Sequence, residues 1–330
     1  MRFAVVIPTF NEAHSIARCL EAIGRSNDGH DVSVTVSDGG SHDGTCEVAR
    51  SSSWAAPNQL MILGKAPAPD KGRGAQLSHA VETILATNER KPPQVFLFLH
   101  ADCCLNAGAF SALAHAFERR DDDAHGSRDA PPRIVTMRLR FRMSEKCTAT
   151  QRRILRTSED WCNHGAGGLF RSFGDAAIAA SPAALRAVGG GFPSWPLFED
   201  VEFMRRARRC QDHGLVSVRK LSADRGDAAV VWASPRRFET EGYVAYPAKC
   251  WFLIALFKFG VPPEKLSRMY GKRKGGTPGQ HQAKVRQICP DLEHSGGSGS
   301  ACGSSGREPS GGDVSSSCGA ASLLSCSPHV

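Results

Sequence analysis

Four short, mostly apolar segments near the N-terminus alternate with segments of helical spacing. They are Phe3–Ile7, Val32–Val36, Leu60–Leu63 and Val95–Leu99. Apolar runs of this length are typical of strands buried on both faces of a parallel sheet, and the segments between them predict the crossover helices. The alternation therefore predicts an α/β fold with a mostly parallel central sheet and right-handed crossovers.

Polar residues follow each of these four strands. In an open parallel sheet, the loops after the carboxyl ends of the strands converge on one crevice, where ligands bind. The loops contribute, in chain order, Pro8, Thr9 and Glu12, then Asp38, then Lys71–Gly74, and finally Asp102. We therefore expect these residues to share one ligand site.

The residue types in these loops suit a nucleotide diphosphate that is held partly through a divalent metal. Asp38 can accept hydrogen bonds from a base or a ribose hydroxyl, and Lys71 and Arg73 can hold a phosphate beside a helix N-terminus. Asp102 can bind a divalent cation that bridges two phosphates. The alternatives are a turn aspartate at Asp38, a plain flexible loop over Lys71–Gly74 and a helix cap at Asp102.

A second acidic site consists of Glu199 and Asp200, at the predicted start of a helix over Val201–Cys210. Aromatic residues and prolines precede the two carboxylates, with Trp195 among them. Such an apolar lead-in suits a general base beside a shaped acceptor pocket better than it suits a surface pair of helix caps.

Further strands and helices are predicted after the fourth strand. The alternating residues of Ile134–Phe141 predict one half-exposed strand, and the small residues of Gly174–Ala180 predict another. The remaining predicted elements are helices over Ala107–Arg119, Thr150–His164 and Pro182–Val188 and strands over Val216–Leu221 and Ala228–Trp232.

The C-terminal region contains one apolar segment and one polar tail. Trp251–Val261 is much shorter than the about 20 apolar residues that a membrane span requires. It predicts a packed helix or, with Lys249, Lys258 and Lys265 nearby, a helix that lies on a membrane surface. Residues 272–330 are rich in Gly, Ser, Pro and Cys. They lack the apolar residues that offset ordering entropy, so we expect a disordered tail.

Charge and cysteine usage narrow the functional classes. The net charge is +8, but the basic runs lack interleaved aromatic residues and any nucleic-acid motif, so we expect no nucleic-acid partner. The 12 cysteines fit neither a disulfide framework nor a zinc site, which argues against a redox or metal-handling protein. Without a recognisable signal peptide before the first strand, we expect a soluble protein of the reducing cytoplasm.

Three segments together resemble glycosyltransferase family 2, whose fold is called GT-A: Val5–Glu12, Ser37–Thr45 and Phe98–Asp102. The chain also resembles a subgroup of small soluble members that is named for a proposed role in arsenosugar biosynthesis. The segments that carry this narrower resemblance are His100–Asp102, Phe173–Asp175, Gly190–Pro193, Pro196–Glu202 and Phe259–Leu266. The resemblance implies a Rossmann-like nucleotide-diphospho-sugar transferase fold over residues 1–271.

The family resemblance implies inverting transfer of a sugar from a nucleotide-diphosphate sugar to a small-molecule hydroxyl, assisted by manganese or magnesium. It implies a nucleotide-sugar-binding half over residues 1–120 and an acceptor half over 133–271. In this assignment Asp200, with Glu199 beside it, deprotonates the acceptor, and Asp102 binds the metal. The remaining implied contacts are Pro8, Thr9, Glu12 and Asp38 around the nucleoside, Lys71 and Arg73 near the diphosphate, and Asp175 and Trp195 at the acceptor.

Two positions depart from the family pattern. His100-Ala101-Asp102 stands where the family usually has Asp-x-Asp, so the first carboxylate is missing. Gly174-Asp175-Ala176-Ala177 stands where the subgroup usually has Gly-Asp-Gln-Gly. These departures leave open an inactive nucleotide-sugar-binding protein. The apolar segment Trp251–Val261 separately leaves open a polyprenyl-phosphate glycosyltransferase that contacts a membrane.

Overall fold

Strands and helices alternate along the computed structural model, which describes residues 1–52, 59–65, 72–118, 131–164, 176–221 and 229–271. The strands are β1 (Arg2–Thr9), β2 (Asp31–Asp38), β3 (Leu60–Leu63), β4 (Val95–Phe98), β5 (Cys104–Leu105), β6 (Arg133–Thr136), β7 (Arg138–Phe141), β8 (Ile178–Ala180), β9 (Ser217–Lys220) and β10 (Val230–Ala233). The helices are α1 (Ile16–Ser26), α2 (Thr45–Arg50), α3 (Arg73–Thr87), α4 (Ala109–Glu118), α5 (Ala149–His164), α6 (Pro182–Ala187), α7 (Glu199–Asp212), α8 (Arg236–Glu241), α9 (Ala245–Lys258) and α10 (Pro263–Tyr270).

The described strands form a large sheet in the order β3-β2-β1-β4-β8-β6-β9 and a small sheet in the order β5-β10-β7. In the large sheet, β1 is parallel to β2 and β4, β2 to β3, and β6 to β9. Only β8 runs antiparallel to its neighbours β4 and β6. This arrangement confirms the predicted α/β fold with a mostly parallel central sheet. Because β8 lies beside β4, the two halves of the chain share this sheet.

Strand β1 lies at the centre of the first half of the sheet, and both of its faces are buried. Phe3, Val5 and Ile7 pack into a core cluster on the side of α1, whereas Ala4 and Val6 pack into a second cluster on the side of α3. Since successive side chains of a strand point to opposite faces, a strand covered on both faces must be apolar at every position. This explains the continuous apolar run in the sequence.

The single strand predicted over Ile134–Phe141 is wrong, because the chain divides it at Met137. Strand β6 joins the large sheet and β7 joins the small one. The Met137 N–H donates to the carbonyl of Ala176 at the crossing. All four β6 residues are buried, so the alternation of buried and half-buried residues is confined to β7. One periodic pattern therefore spans two strands in different sheets.

Helix α5 supplies hydrogen bonds to the backbone of β7, which is an edge strand. The Asn163 amide accepts from the Leu139 N–H and donates to the Leu139 carbonyl, at 2.9 and 2.8 Å. The carboxylate of Glu159 accepts from the Phe141 N–H at 2.6 Å. These side chains satisfy backbone groups that an edge strand would otherwise leave without a partner.

Two predicted boundaries also need correction. Strand β4 ends at Phe98, one residue before the predicted end at Leu99, and Asp102 lies in the turn that precedes β5. The helix predicted over Trp251–Val261 begins earlier, at Ala245, and ends at Lys258. The predicted tail 272–330, together with Lys71 and Asp175, lies outside the described residues. Within the described ranges, no helix combines the length and apolar character that crossing a membrane requires.

Shortening Leu97 to Ala tests the assignment of the core. Leu97 is fully buried in β4, so we expect Leu97→Ala to lower the free energy of unfolding by about 2–5 kcal/mol. The matched control is Leu215→Ala, because Leu215 is 55% exposed and its loss should change stability by less than about 0.5 kcal/mol. Denaturant unfolding measures both variants, and equal losses would contradict this core.

Candidate functional site

The ends of β1 and β2 are joined by hydrogen bonds to Asp38. Its carboxylate accepts from the hydroxyls of Thr9 and Ser41 at 2.9 and 2.6 Å and from the N–H groups of Gly40 and Ser41 at 2.9 and 2.8 Å. Burial opposes the charged form of Asp38, but the hydrogen bonds from Ser41, Thr9 and Gly40 outweigh it and lower the pKa of the carboxyl. Asp38 is thus an ionised group that shapes the turn after β2.

Gln76 of α3 ties the same two strand ends together, and sequence reasoning missed it. Its side-chain amide donates to the carbonyl of Thr9 at 2.9 Å and to the carbonyl of Ser37 at 2.7 Å. Gly39 lies so close that a Cβ added there would be 3.0 Å from the Gln76 amide nitrogen. The only sequence signal was a polar residue on a buried helix face, which does not reveal its partners.

Arg236, at the start of α8, lies between two of the expected site carboxylates. Its guanidinium is 3.3 Å from both carboxylate oxygens of Glu12 and 3.8 Å from a carboxylate oxygen of Asp102. Burial lowers the pKa of Arg236, and the charge of Asp102 opposes this effect. Sequence reasoning missed Arg236, because nothing distinguishes it from the other basic residues of the chain. The structure thus brings Glu12 and Asp102 together through one cation.

Arg73 of α3 pairs with the second acidic site. Its guanidinium donates to the carboxylate of Glu199 and lies 3.8 Å from a carboxylate oxygen of Asp200. Glu199 is 1% exposed. Burial raises the pKa of Glu199, although the positive charge of Arg73 acts in the opposite direction. The second carboxylate oxygen of Glu199 is buried and has no hydrogen-bond partner among the described residues.

The glycines on both sides of Arg73 allow this ion pair to form. A Cβ at Gly74 would overlap the carbonyl of Pro193, and a Cβ at Gly72 would lie 2.9 Å from the carbonyl of Trp195. Gly72 also has a φ of +98°, a conformation that favours glycine. The start of α3 therefore packs directly against the loop before α7. Gly72 and Gly74 are therefore packed against that loop, whereas Lys71 lies outside the described residues.

A small cavity connects the strand ends with the second acidic site. Its lining includes Pro8 of β1, His100 after β4, and Glu199 and Asp200 at the start of α7. Phe192 closes the apolar side, where it packs edge-to-face on another lining residue. Residues from both halves of the chain thus meet at one cavity.

Trp195 lies in the loop that leads to the two carboxylates. Its ring packs edge-to-face on Phe257 of α9, with centroids 6.0 Å apart, and Phe198 contacts the same ring at 4.9 Å. Phe198 itself has a φ of +63°, an uncommon conformation for an aromatic residue. The contacts of Trp195 and Phe198 with Phe257 thus hold the loop before α7 against α9.

The donor set near Asp102 fits a metal that takes most of its ligands from a substrate. No three His, Cys, Asp or Glu side chains converge on a metal position in the part of the chain that is described. Magnesium is commonly held by one or two carboxylates together with substrate phosphates and water. Asp102, whose side chain is 17% exposed, can provide one such carboxylate.

An open α/β sheet with polar groups at the carboxyl ends of its strands belongs to the class that binds ligands at that edge. The family model for glycosyl transferase family 2 matches residues 4–175, which is more than half of the chain. The chain therefore belongs to glycosyltransferase family 2 and has the GT-A fold. No curated protein matches the sequence.

Solved structures of similar fold include three glycosyltransferases. S. aureus TarS in complex with UDP-GlcNAc is 17% identical, with a TM-score of 0.43 and coverage of 71% of this chain and 58% of TarS. The mannosyltransferase PcManGT from Pyrobaculum calidifontis, in complex with GDP-Man and Mn²⁺, is 20% identical and has a TM-score of 0.48. The match covers 81% of this chain and 67% of PcManGT. Glucosyl-3-phosphoglycerate synthase from Mycobacterium tuberculosis, with Mn²⁺ and UDP, is 17% identical, with a TM-score of 0.41 and coverage of 67% and 70%. The chain thus spans 58% of TarS in its complex with UDP-GlcNAc, which is under two thirds of that chain's length.

Replacing Arg73 by Met tests the ion pair at the second acidic site. The change leaves Glu199 buried without its cation, so we expect a loss of about 3 kcal/mol of stability near neutral pH. The folded state of this variant favours protonated Glu199, whose pKa is already raised. Stability therefore falls as pH rises, and the loss should shrink as the pH is lowered towards 5.

Two further variants give this test its controls. Adding Glu199→Gln to Arg73→Met removes the uncompensated charge and should recover part of the lost stability. Arg25→Met removes an exposed partner of Glu21 at 3.7 Å and should cost less than about 1 kcal/mol. A loss for Arg73→Met no larger than that for Arg25→Met would contradict the buried ion pair.

Proposed function

We propose that the protein transfers a sugar, with inversion, from a nucleotide-diphosphate sugar to a hydroxyl group of a small-molecule acceptor. The observation that carries this proposal is that Asp200 lines the same small cavity as Pro8 and His100. It unites a carboxylate at the start of α7 with the strand-end edge, where α/β sheets bind nucleotides. Family membership supports the same reaction class.

We assign the donor nucleoside to the turns after β1 and β2. Asp38 is ionised and can accept from a base or a ribose hydroxyl, while Pro8, Thr9 and Glu12 would frame the same position. The Asp38 carboxylate already accepts four hydrogen bonds, from Thr9, Gly40 and Ser41, so a base or ribose hydroxyl would bind by taking the place of the Thr9 or Ser41 hydroxyl. Lys71 and Arg73 would add positive charge near the diphosphate.

Asp102 would hold a manganese or magnesium ion together with the donor diphosphate. When bound, such an ion stabilises the negative charge that develops on the departing nucleoside diphosphate. Arg236 lies 3.8 Å from Asp102, so its positive charge acts at the same end of the site. Like the metal, this cation would stabilise the departing diphosphate, but it does not replace, as a metal ligand, the carboxylate where His100 stands in the family pattern.

Asp200 would act as the general base. It lies in the first turn of α7, where the helix N-terminus and Arg73 both stabilise negative charge. Asp200 takes the proton of the acceptor hydroxyl while the hydroxyl oxygen attacks the anomeric carbon. The bond between that carbon and the diphosphate breaks on the opposite face of the sugar. A single inverting displacement requires one base, on the face of the sugar opposite the leaving diphosphate. Glu199 would hold Arg73 in place and thereby position the base.

We place the acceptor at the loop before α7, where Trp195 offers an aromatic surface, with Asp175 as a further contact.

The motifs His100–Asp102 and Pro196–Glu202 support assignment to the arsenosugar-named subgroup within the family. We likewise propose that the protein acts in the reducing cytoplasm, because the spacing of its cysteines in the sequence suits no disulfide framework.

Replacing Asp200 by Asn tests the proposed base. The variant keeps the size of the side chain but cannot accept the proton, so we expect turnover to fall by about 10²–10⁴-fold. Release of the nucleoside diphosphate from a panel of nucleotide sugars and acceptors measures the reaction. Asp212→Asn is the matched control, because Asp212 is exposed at the other end of α7 and its loss should leave turnover unchanged.

Two outcomes would contradict the proposal. Full turnover by Asp200→Asn would exclude Asp200 as the base. If the wild-type protein binds a nucleotide sugar but releases no nucleoside diphosphate with any acceptor, the result would favour the inactive nucleotide-sugar-binding protein instead.

A further inference from the structure

We propose that an exposed face of α9 docks onto the surface of an anionic lipid bilayer. This α9 apolar face consists of Val244, Ala248, Trp251, Phe252 and Phe259, all of them exposed. Trp251 is 48% exposed, Phe252 57%, Val244 71% and Phe259 86%. At 3.6 residues per turn these five positions fall within an arc of about 100° on one side of the helix.

The orientation of this face is the reverse of that in an ordinary surface helix. A helix on a globular domain turns its apolar stripe towards the core. Helix α9 fully buries only Leu253 and Ile254, which lie on other sides of the helix, while its aromatic stripe points outwards. An exposed apolar patch of this kind marks a docking surface for a protein or a membrane.

The charges around the α9 apolar face favour an anionic bilayer as its occupant. Lys258 lies at the edge of the face, and Lys265 and Arg268 are exposed on α10, which packs against α9. Glu264 is the one exposed acidic residue between Val244 and Gly271. Apolar and aromatic side chains bordered by Lys and Arg are typical of helices that lie in the membrane interface.

The opposite side of α9 connects this face to the acceptor loop. Phe257 contacts the rings of Trp195 and Phe198, and Phe198 directly precedes Glu199. Docking through α9 would therefore hold the loop before α7 about one helix diameter, roughly 10 Å, from the bilayer surface, a distance over which an amphiphilic acceptor anchored in the lipid could extend towards Asp200. This link to the acceptor rests on the proposed function, whereas docking itself does not.

Vesicle sedimentation with the full-length protein tests the docking surface. The probes are vesicles of phosphatidylcholine alone and vesicles that also contain phosphatidylglycerol. We expect the protein to sediment with the anionic vesicles, to bind the neutral ones less, and to dissociate as salt is raised. The double variant Phe252→Ser/Phe259→Ser should lower the partition coefficient by about tenfold or more.

The choice of variant separates lost docking from lost folding. Trp251 is left intact because it packs on Trp161, with ring centroids 4.3 Å apart, whereas Phe252 and Phe259 are highly exposed. Leu215→Ser is the matched control, because Leu215 is similarly exposed on another part of the protein and should bind vesicles like the wild type. Unchanged thermal unfolding would show that both variants fold.

Three results would overturn the inference. In the first, the wild-type protein stays in the supernatant with anionic vesicles. In the second, Phe252→Ser/Phe259→Ser binds these vesicles as well as the wild type does. In the third, the wild type forms a stable dimer that the double variant does not form, because a second copy would then cover the face. Nucleoside diphosphate release with a water-soluble acceptor is measured in parallel. Turnover without vesicle binding contradicts only the docking surface, and vesicle binding without turnover contradicts only the proposed function.

Discussion

The ion pair between Arg73 and Glu199 joins the two parts of the site. A carboxylate as deeply buried as Glu199 needs a cation nearby, because burial of an uncompensated charge is costly. Arg73 can reach it only because Gly72 and Gly74 let the start of α3 pack against the loop before α7. The same contact places Arg73 3.8 Å from Asp200. The position of Arg73 beside Asp200, the proposed base, therefore depends on Gly72 and Gly74.

Hydrogen bonds and one half-buried arginine organise the other end of the crevice. Asp38 is held by the turn after β2, and Gln76 fastens the ends of β1 and β2 to α3. Arg236 reaches across from α8 to Glu12 and Asp102. Polar groups fixed in this way need little rearrangement when a charged ligand binds, which is how preorganised sites stabilise developing charge.

Sequence patterns predicted the first four strands. Strands β1 and β4 are buried apolar runs, β2 alternates Val with Ser and Thr, and β3 is a short, partly buried apolar run. The patterns did not predict the break at Met137, since one alternating pattern serves both β6 and β7 although the strands join different sheets. Arg236 could not be predicted either, because its contacts with Glu12 depend on residues far apart in the chain that only the fold brings together. The glycines around Arg73 were visible in the sequence, but the contact that requires them was not.

Thermal unfolding with nucleoside diphosphates and nucleotide sugars, with and without manganese, tests the central claim that the strand ends form a donor site. A ligand at 100 times its dissociation constant should stabilise the fold by roughly 2.7 kcal/mol. We predict a metal-dependent increase in the unfolding temperature with one nucleotide, and its loss in Asp102→Ala. No increase with any nucleotide would contradict the donor site.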